Sequence, residues 1–340
     1  MNILGIETSC DETAAAVIAD GTTILSSIVA SQVDIHHRFG GVVPELAARR
    51  HIEAVAPVVD EAIRKAEITP HDIDAVAVTQ GPGLVGALLV GFCFAKALAY
   101  DLNIPWMGVD HLEGHIQSLF LQTPSPPFPF VALLASGGHT NIYHVTSHTQ
   151  SRCMGQTLDD AAGEAFDKVA KILGLGYPGG AVISKLAAAG DPERIRFPRS
   201  YLDREAFNFS FSGIKTAVNR YIQTHPEVLP DAIVHIAAGF QEAVVDVLTE
   251  KIIRAAEKTG CGHIAIAGGV SANPRLRQRL SKAADALNIN VYMPPPELCG
   301  DNAAMIAAAG YRRLRTPEHK ARIGALDADV YSRSPLRDVS

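Results

Sequence analysis

The sequence predicts a two-lobed α/β protein whose two halves share one pattern. Each half opens with a strand, a polar bend and a second strand: NILGIE-TSCDE-TAAAVIA in the first and FVALLA-SGGHT-NIYHVTS in the second. Each half later carries an apolar strand that runs through a Gly-rich turn into a helix. A Pro-rich segment at 123–129 lies between the halves, and clustered prolines end helices and stiffen linkers.

The elements of the first half follow from periodicity and turn residues. After TAAAVIA, an Asp20-Gly21 turn leads into the strand TILSSIVAS. The segment 43–66 has apolar residues at three- and four-residue spacings, which predicts a helix. DAVAVTQ-GPG-LVGALLVGFCFAKALA (74–99) is the strand, turn and helix unit, and WMGV (106–109) is a short strand.

In the second half, a long helix is predicted over 232–260, with Gly260 as its stop. HIAIA-GGVSANP-RLRQRLSKAADAL (263–287) then repeats the strand, turn and helix unit. Two such units in matching positions predict a duplicated lobe, with a ligand cleft between the lobes. We therefore place an N-terminal lobe at 1–122, a linker at 123–129 and a C-terminal lobe at 130–340.

Composition narrows the class of protein. With 340 residues, 47% hydrophobic and 19% charged, the chain is typical of a compact globular protein of two domains. The apolar stretch LVGALLVGFCFAKALAY is interrupted by Gly and Lys before it spans a bilayer, and the start resembles no signal peptide. Five scattered cysteines without C-x-x-C predict free thiols in a reducing cytosol, and hence a cytoplasmic protein without a membrane partner.

The net charge of −6 argues against a protein that binds nucleic acid with its whole surface. Basic runs occur at 193–204, 273–282 and 311–315. Each is a solvated face or loop, or a local contact for nucleic acid.

HLEGH (111–115) resembles a zinc-protease signature with its glutamate displaced. Glu113 lies two residues after His111, about 200° around a helix, so it points away from any metal shared by the histidines. Asp110 is a good N-cap, and Glu113 at the third helical position is then the reciprocal partner of a capping box. The peptidase hypothesis therefore lacks its general base.

The two histidines remain candidate metal ligands. His111 and His115, four residues apart, lie on one helix face and can reach one ion. The alternative is a pair of partly exposed histidines in a first helical turn. Asp301 in CGDNAAM is the candidate third ligand, and its alternative role is the N-cap of the following helix.

Taken together, nine motifs closely resemble those of the bacterial TsaD family, in family order across nearly the whole chain. They are ILGIETSCDET, GGVVPELAARRHIE, TQGPGLVGAL, HLEGH, LLASGGHT, GYPGG, FSFSGIKTAV, AGGVSAN and CGDNAAM. The resemblance implies a fold of the actin, Hsp70 and sugar-kinase (ASKHA) type. It also implies transfer of a threonylcarbamoyl group from its adenylate to N6 of the adenosine just 3′ of the tRNA anticodon, with release of AMP.

The resemblance also implies site residues and cofactors. His111, His115 and Asp301 match the family's metal ligands, and two imidazoles with a carboxylate suit Fe(II), the usual metal in the family, or Zn. An adenylate, or an ATP-related nucleotide, would occupy the cleft. Its contacts match the segment Leu134, Ala135, Ser136, Gly137 and Gly138, together with Asp167, Gly180 and Asn273. By pattern alone, Asp167 could merely pair with Lys171.

The first bend departs from the wider superfamily. Its kinases carry an Asp-x-Gly-Thr-Thr phosphate loop there, whereas this chain has Glu7-Thr8-Ser9-Cys10-Asp11-Glu12. Phosphoryl transfer is therefore disfavoured, and Asp11 and Glu12 become candidate catalytic carboxylates. Their alternative role is that of turn residues between two strands.

Three classes of function remain in competition: metal-assisted carbamoyl transfer to tRNA, a kinase or ATPase of the same fold, and a non-catalytic nucleotide-binding subunit.

The resemblance implies tRNA, a TsaB-type paralogous subunit, a TsaE-type ATPase and a TsaC-type synthase as partners. Because the net charge is negative, we expect tRNA binding to need a partner subunit. The expected local contributors are Arg194, Arg196, Arg199 and Arg204.

Overall fold

The structure is a computed structural model that describes residues 1–201, 206–226 and 231–334. Arg204, one of the predicted tRNA contacts, lies outside the described residues. The elements of the first half are, in chain order, β1 (Asn2–Glu7), β2 (Glu12–Ala19), β3 (Thr23–Ser31), α1 (Val33–His36), α2 (Pro44–Lys65), β4 (Ala75–Gly81), α3 (Val85–Leu102), β5 (Trp106–Asp110) and α4 (His111–Gln117).

The elements of the second half follow a similar order, with four helices in place of two between the third and fourth strands. They are β6 (Phe130–Ala135), β7 (Thr140–Ser147), β8 (Gln150–Gln156), α5 (Ala162–Ile172), α6 (Gly179–Ala187), α7 (Ser212–Thr224), α8 (Ile233–Thr259), β9 (His263–Ala267), α9 (Pro274–Asp285), β10 (Asn290–Tyr292) and α10 (Ala303–Leu314).

The two halves form two five-stranded sheets with equivalent topology. The first has the order β3-β2-β1-β4-β5 and the second β8-β7-β6-β9-β10. In each, the opening strand pairs antiparallel with the next strand and parallel with the strand that leads into the Gly-rich turn. The predicted duplicated α/β fold is therefore confirmed. Because β1 and β4 are parallel, as are β6 and β9, their polar bends lie side by side at one edge of each sheet.

The C-terminal helix α10 returns to the first sheet. It packs on a face lined by alanines such as Ala14, Ala16, Ala75 and Ala77. A Cβ at Gly5 would lie 2.1 Å from the carbonyl oxygen of Ala303, so the closest approach requires glycine in β1. The predicted lobe boundary at 123–129 separates the strands of the two sheets, whereas α10, assigned to the lobe 130–340, contacts the first sheet.

Helix α3 is long and apolar enough to cross a membrane by length and composition. It packs on α2 and β4, and its Phe92, Ala95 and Ala99 belong to the core of the first half. This is the packing of a helix that covers a sheet in an α/β fold. All five cysteines are free thiols, as predicted.

Candidate functional site: a histidine and carboxylate cluster at one edge of the first sheet

The HLEGH helix begins directly at the end of β5. The Asp110 side chain accepts hydrogen bonds from the backbone N–H groups of Leu112 (2.9 Å) and Glu113 (3.3 Å), so Asp110 is the predicted N-cap. The cap fixes where α4 starts. His111 therefore leaves the sheet at the edge where β1 and β4 also end.

His111, His115 and Asp301 converge as predicted. The Nε2 atoms of His111 and His115 lie 3.4 and 3.2 Å from the same Asp301 oxygen, Oδ1. Two atoms that each bind one ion at about 2.1 Å lie roughly 3.0–3.4 Å apart in octahedral or tetrahedral geometry. His115 is fully buried, and neither of its ring nitrogens has a well-aligned hydrogen-bond partner among the described residues. The donor set and the unsatisfied imidazole fit a divalent metal ion.

Glu7, at the end of β1, orients His111. Its Oε2 lies 3.0 Å from His111 Nδ1, which leaves Nε2 directed at Asp301. A carboxylate behind a histidine fixes the ring tautomer and raises its basicity as a ligand. Burial alone would raise the pKa of Glu7, but the neighbouring His111 holds that pKa below its usual value. No motif or spacing predicted this role, although an acidic residue that ends a buried central strand was a signal for it.

Asp301 is free to face the histidines because its neighbour caps the helix. Asn302 Oδ1 accepts from the backbone N–H of Met305 at 2.9 Å, so Asn302 is the N-cap of α10. The alternative role for Asp301, a helix cap, is wrong. Burial opposes its charge, yet His111 and His115 hold the pKa of Asp301 well below its usual range.

Glu113 does not complete a capping box. Its carboxylate instead accepts hydrogen bonds from the Arg313 guanidinium of α10, with Nε at 3.0 and 2.9 Å from its two oxygens. Both side chains are about nine-tenths buried. The predicted reciprocal partner was therefore wrong, because the Arg313 guanidinium, 200 residues away in the chain, provides charge-assisted hydrogen bonds that are stronger than one to the backbone N–H of the N-cap. The conclusion that Glu113 faces away from the histidines stands.

The candidate carboxylates Asp11 and Glu12 lie on the bend between β1 and β2. Asp11 Oδ2 accepts a hydrogen bond from the hydroxyl of Tyr177, 3.1 Å away in the second half of the chain. Glu12 Oε1 accepts from Ser31 at 2.9 Å, while its buried Oε2 has no partner in the described part of the chain. Burial raises the pKa of Glu12 to about 7. A carboxyl with that pKa can exchange a proton at neutral pH.

On the second lobe, the predicted nucleotide segment is the bend that follows β6. Leu134 and Ala135 end the buried strand, and a Cβ at Gly137 or Gly138 would meet no atom within 4 Å. The Ser136 carbonyl accepts from the N–H of Gly163 at the start of α5. The bend therefore leaves open space beside its backbone, which a phosphate or ribose can approach.

Asp167 lies in α5, beside the start of α6, where Gly180 lies. Asp167 Oδ1 accepts from the backbone N–H of Gly179 at 2.7 Å, and this bond replaces the alternative pairing with Lys171. Burial raises the pKa of Asp167. A Cβ at Gly180 would meet no atom within 4 Å, so this position is open.

Asn273 is already engaged by the protein. Its Oδ1 caps α9 by accepting from Arg275 and Leu276, and its Nδ2 donates to Gln241 Oε1 at 2.8 Å. Gln241 and Pro274 line a cavity of ≈ 610 Å³ between α6, α8 and α9. The cavity therefore begins beside Asn273 and lies apart from the histidine cluster.

Those arginines predicted to contact tRNA that the structure describes already form ion pairs or hydrogen bonds within the chain. Arg199 is held by Asp246 at 2.8 Å. Arg194 and Arg196 are exposed, the first with a hydrogen bond to His235 and the second paired with Glu193. Two exposed arginines can thus contact an anion with little rearrangement.

The chain matches the family model of TsaD, tRNA N6-adenosine threonylcarbamoyltransferase, over residues 23–308. It is 62% identical to the tRNA N6-adenosine threonylcarbamoyltransferase of Desulforapulum autotrophicum, over 98% of this chain and 99% of the relative. It is 55% identical to the enzyme of that name from Geotalea uraniireducens, over 91% and 90%.

Two solved structures share the fold at low sequence identity. Component A of the (R)-2-hydroxyglutaryl-CoA dehydratase of Acidaminococcus fermentans superimposes with a TM-score of 0.55 at 16% identity, covering 93% of this chain and 100% of that one. Full-length HypF superimposes with a TM-score of 0.63 at 13% identity, covering 93% and 47%. These similarities establish the two-lobed ASKHA-type fold.

Proposed function

This chain belongs to the TsaD family of tRNA N6-adenosine threonylcarbamoyltransferases, and we propose that it transfers a threonylcarbamoyl group from threonylcarbamoyl-adenylate to N6 of adenosine 37. The substrates are tRNAs that read codons beginning with A. The observation that carries the proposal is the 62% identity over 98% of the chain. The convergence of His111, His115 and Asp301 in one cluster supports it.

The reaction needs a nucleophile, a base and a leaving group. The N6 amine attacks the carbamoyl carbon, the bond from that carbon to the phosphate oxygen breaks, and AMP leaves with the bonding electrons. The attacking nitrogen must lose one proton. We assign that proton to the carboxylates of the first bend, Asp11 and Glu12, because they lie on the polar edge of the sheet beside the histidine cluster.

We propose that His111, His115 and Asp301 hold one divalent ion, Fe(II) in the first place and Zn²⁺ as the alternative. A bound ion would polarise the carbonyl or offset charge on the departing phosphate. Glu7 fixes the imidazole of His111 for this role.

The second lobe is proposed to hold the adenylate. Backbone N–H groups at Ser136, Gly137 and Gly138 would meet its phosphate, since no side chain blocks the two glycines. Asp167 in α5 and Gly180 at the start of α6 would meet the nucleoside. Asn273 would contribute by holding Gln241, which lines the cavity and accepts a hydrogen bond from the Asn273 amide.

We propose that the enzyme works in the cytoplasm with partners. A TsaC-type synthase would supply the adenylate, and a TsaB-type paralogue and a TsaE-type ATPase would complete the active assembly.

Nucleoside analysis of tRNA tests the proposed function. Unmodified tRNA, threonylcarbamoyl-adenylate and the proposed partners are incubated with and without this chain, and the digested nucleosides and free AMP are measured. Modified adenosine in amounts equal to AMP, only with the chain present, supports the transferase. ATP hydrolysis without modified adenosine would indicate the kinase or ATPase class. Equal modification without the chain would indicate a non-catalytic role.

The raised pKa of Glu12 leads to a prediction about the pH dependence of the transfer rate. Its pKa is raised to about 7, so the carboxylate that accepts the proton is depleted below neutral pH. We expect the single-turnover rate to rise about tenfold per pH unit below 7 and to level off above it. Glu12→Gln should remove this limb and lower the rate by about 10²–10⁴. The control is Glu53→Gln, an exposed glutamate of α2. An unchanged pH profile in Glu12→Gln would assign the base elsewhere.

The exposed arginines Arg194 and Arg196 lead to a prediction about the affinity for tRNA and its salt dependence. With the partners present, Arg194→Glu combined with Arg196→Glu should weaken tRNA binding and reduce its salt dependence, because phosphate contacts set that dependence. We expect the slope of log K against log salt to fall by about one to two. Affinity for the adenylate should not change.

A tRNA titration at two salt concentrations, with and without partners, provides the measurement. The matched control is the double reversal Arg49→Glu and Arg64→Glu on the exposed face of α2. Equal losses in the two double variants would mean that net charge alone matters. A steep slope for the isolated chain would mean that no partner is needed.

A further inference from the structure

A C-terminal strap, residues 323–334, crosses the first sheet after α10. It begins with a hydrogen bond from Gly324 N to the Trp106 carbonyl at 3.0 Å. The Nζ of Lys96 donates to the carbonyl of Leu326 at 2.8 Å. These contacts are with β5 and α3, which lie more than 200 residues earlier in the chain.

The strap is then fixed to the end of β4. Gln80 Nε2 donates to the Asp329 carbonyl at 2.6 Å, and Tyr331 N donates to the Gln80 carbonyl at 3.0 Å. Gly81 has a φ of +153°, and a Cβ there would lie 2.1 Å from the Tyr331 carbonyl oxygen. Glycine at position 81 is therefore what allows the strap to approach so closely.

The strap ends on the cap of the metal-ligand helix. Tyr331 OH donates to Asp110 Oδ2 at 2.9 Å, and Ser334 Oγ donates to the same oxygen at 2.7 Å. The other oxygen, Oδ1, accepts from the N–H groups of Leu112 and Glu113. Asp110 is 1% exposed, so water cannot replace these donors without opening the structure.

We propose that Tyr331 and Ser334 are positioning residues for the transfer reaction, which act through Asp110 on the two histidine ligands of α4. Two donors on Oδ2 fix the rotation of the carboxylate, so Oδ1 stays aimed at the first turn of the helix. His111 is the next residue after Asp110, and His115 follows one turn later, so the direction of α4 sets both imidazoles. This inference rests on the proposed metal site.

If the strap has only a structural role, a different experimental result is expected. The strap could serve only to cover β5 and β4, in which case its backbone contacts and the ring of Tyr331 would matter, but the two hydroxyl groups would not. Removal of hydroxyls alone therefore separates the two roles. Tyr331→Phe keeps the ring beside Gly81, and Ser334→Ala keeps the backbone.

The test uses the metal-free full-length chain with Zn²⁺ as the probe. The variants are Tyr331→Phe, Ser334→Ala and their combination, and the control is Tyr100→Phe, an exposed tyrosine of α3. We expect the combined variant to bind Zn²⁺ about tenfold more weakly in competition with a chelator, as is usual when support behind a ligand is lost. Hydrogen exchange of the Leu112 and Glu113 amides, measured without metal, should quicken by about tenfold while β1 and β4 stay protected.

The outcomes separate the inference from the proposed metal site. Faster exchange at Leu112 and Glu113 together with weaker Zn²⁺ binding supports the inference. Unchanged exchange, or faster exchange with unchanged Zn²⁺ affinity, overturns it. Uniformly faster exchange across the first sheet also overturns it, since the strap is then only a cover. If the combined variant does not fold, Tyr331→Phe alone decides, with an expected loss of about threefold in affinity. Absence of Zn²⁺ binding by the unsubstituted chain contradicts the metal site instead.

Discussion

The double variant His111→Ala, His115→Ala is expected to lose stoichiometric metal and to lower tRNA modification by at least about two orders of magnitude. Loss of one outer-shell partner already costs about 10–100-fold in affinity, and here two of three ligands disappear. Asp301 alone would leave a single carboxylate ligand, too few to hold a divalent ion in competition with water.

Elemental analysis of dialysed protein provides the measurement, followed by the tRNA assay on the same samples. The control is His71→Ala combined with His225→Ala, since both are exposed histidines outside the cluster. Circular dichroism checks that each variant is folded. Full metal content in the double variant would place the ion elsewhere and remove the basis for the proposed cluster.

Glu113→Gln is expected to lower the free energy of unfolding by about 3 kcal/mol, the lower end of the range for breaking a buried ion pair. The Arg313 guanidinium makes three hydrogen bonds to the Glu113 carboxylate and donates to the Gly108 carbonyl at 3.1 Å. These bonds hold the guanidinium in its buried position. A neutral amide leaves the buried cation without a counter-charge. Single-turnover transfer by the folded fraction should change little, because Glu113 points away from the histidines.

Urea unfolding of Glu113→Gln, Arg313→Gln and the double variant checks this. The double variant should be more stable than the sum of the single losses predicts, since two amides can bond each other and no charge stays unpaired. If stability is unchanged and transfer falls by several orders of magnitude, Glu113 is a catalytic base and the peptidase-like hypothesis returns.

Local sequence patterns predicted the elements that form the two sheets. Strands such as Asn2–Glu7 and Phe130–Ala135 are apolar runs that end in polar bends, and the Gly-rich turns marked β4 and β9. Strands β8 and β10 were missed. QSRCMGQ and NVY are polar or very short because both lie at sheet edges with solvent on one side.

Features of the site that depend on residues close together in the sequence were predictable. His111 and His115 share a helix face by their four-residue separation, and Asp110 caps that helix by its type and place. Asp301 and Asn302 are both good caps, so local propensity could not decide between them. The structure decides because Asn302 bonds Met305 and Asp301 then faces the histidines.

The remaining roles depend on contacts between distant parts of the chain. Glu7 meets His111 across 104 residues, Asp11 meets Tyr177 across 166, and Arg313 meets Glu113 across 200. No pattern of helix or strand periodicity links such pairs, since each depends on how the two sheets and α10 are assembled. These are the residues for which the structure adds most to the mechanism.

The most direct test of the proposed transfer reaction uses an isotopic label at the carbamoyl carbon. Threonylcarbamoyl-adenylate labelled at the carbamoyl carbon is mixed in a single turnover with tRNA, the partner subunits and either the unsubstituted chain or Asp301→Asn. We expect the label on N6 of adenosine 37, with one AMP per label, for the unsubstituted chain, and a rate at least about 10²-fold lower for Asp301→Asn. Label released to water, or equal transfer by Asp301→Asn, would contradict the claim that this cleft performs the transfer.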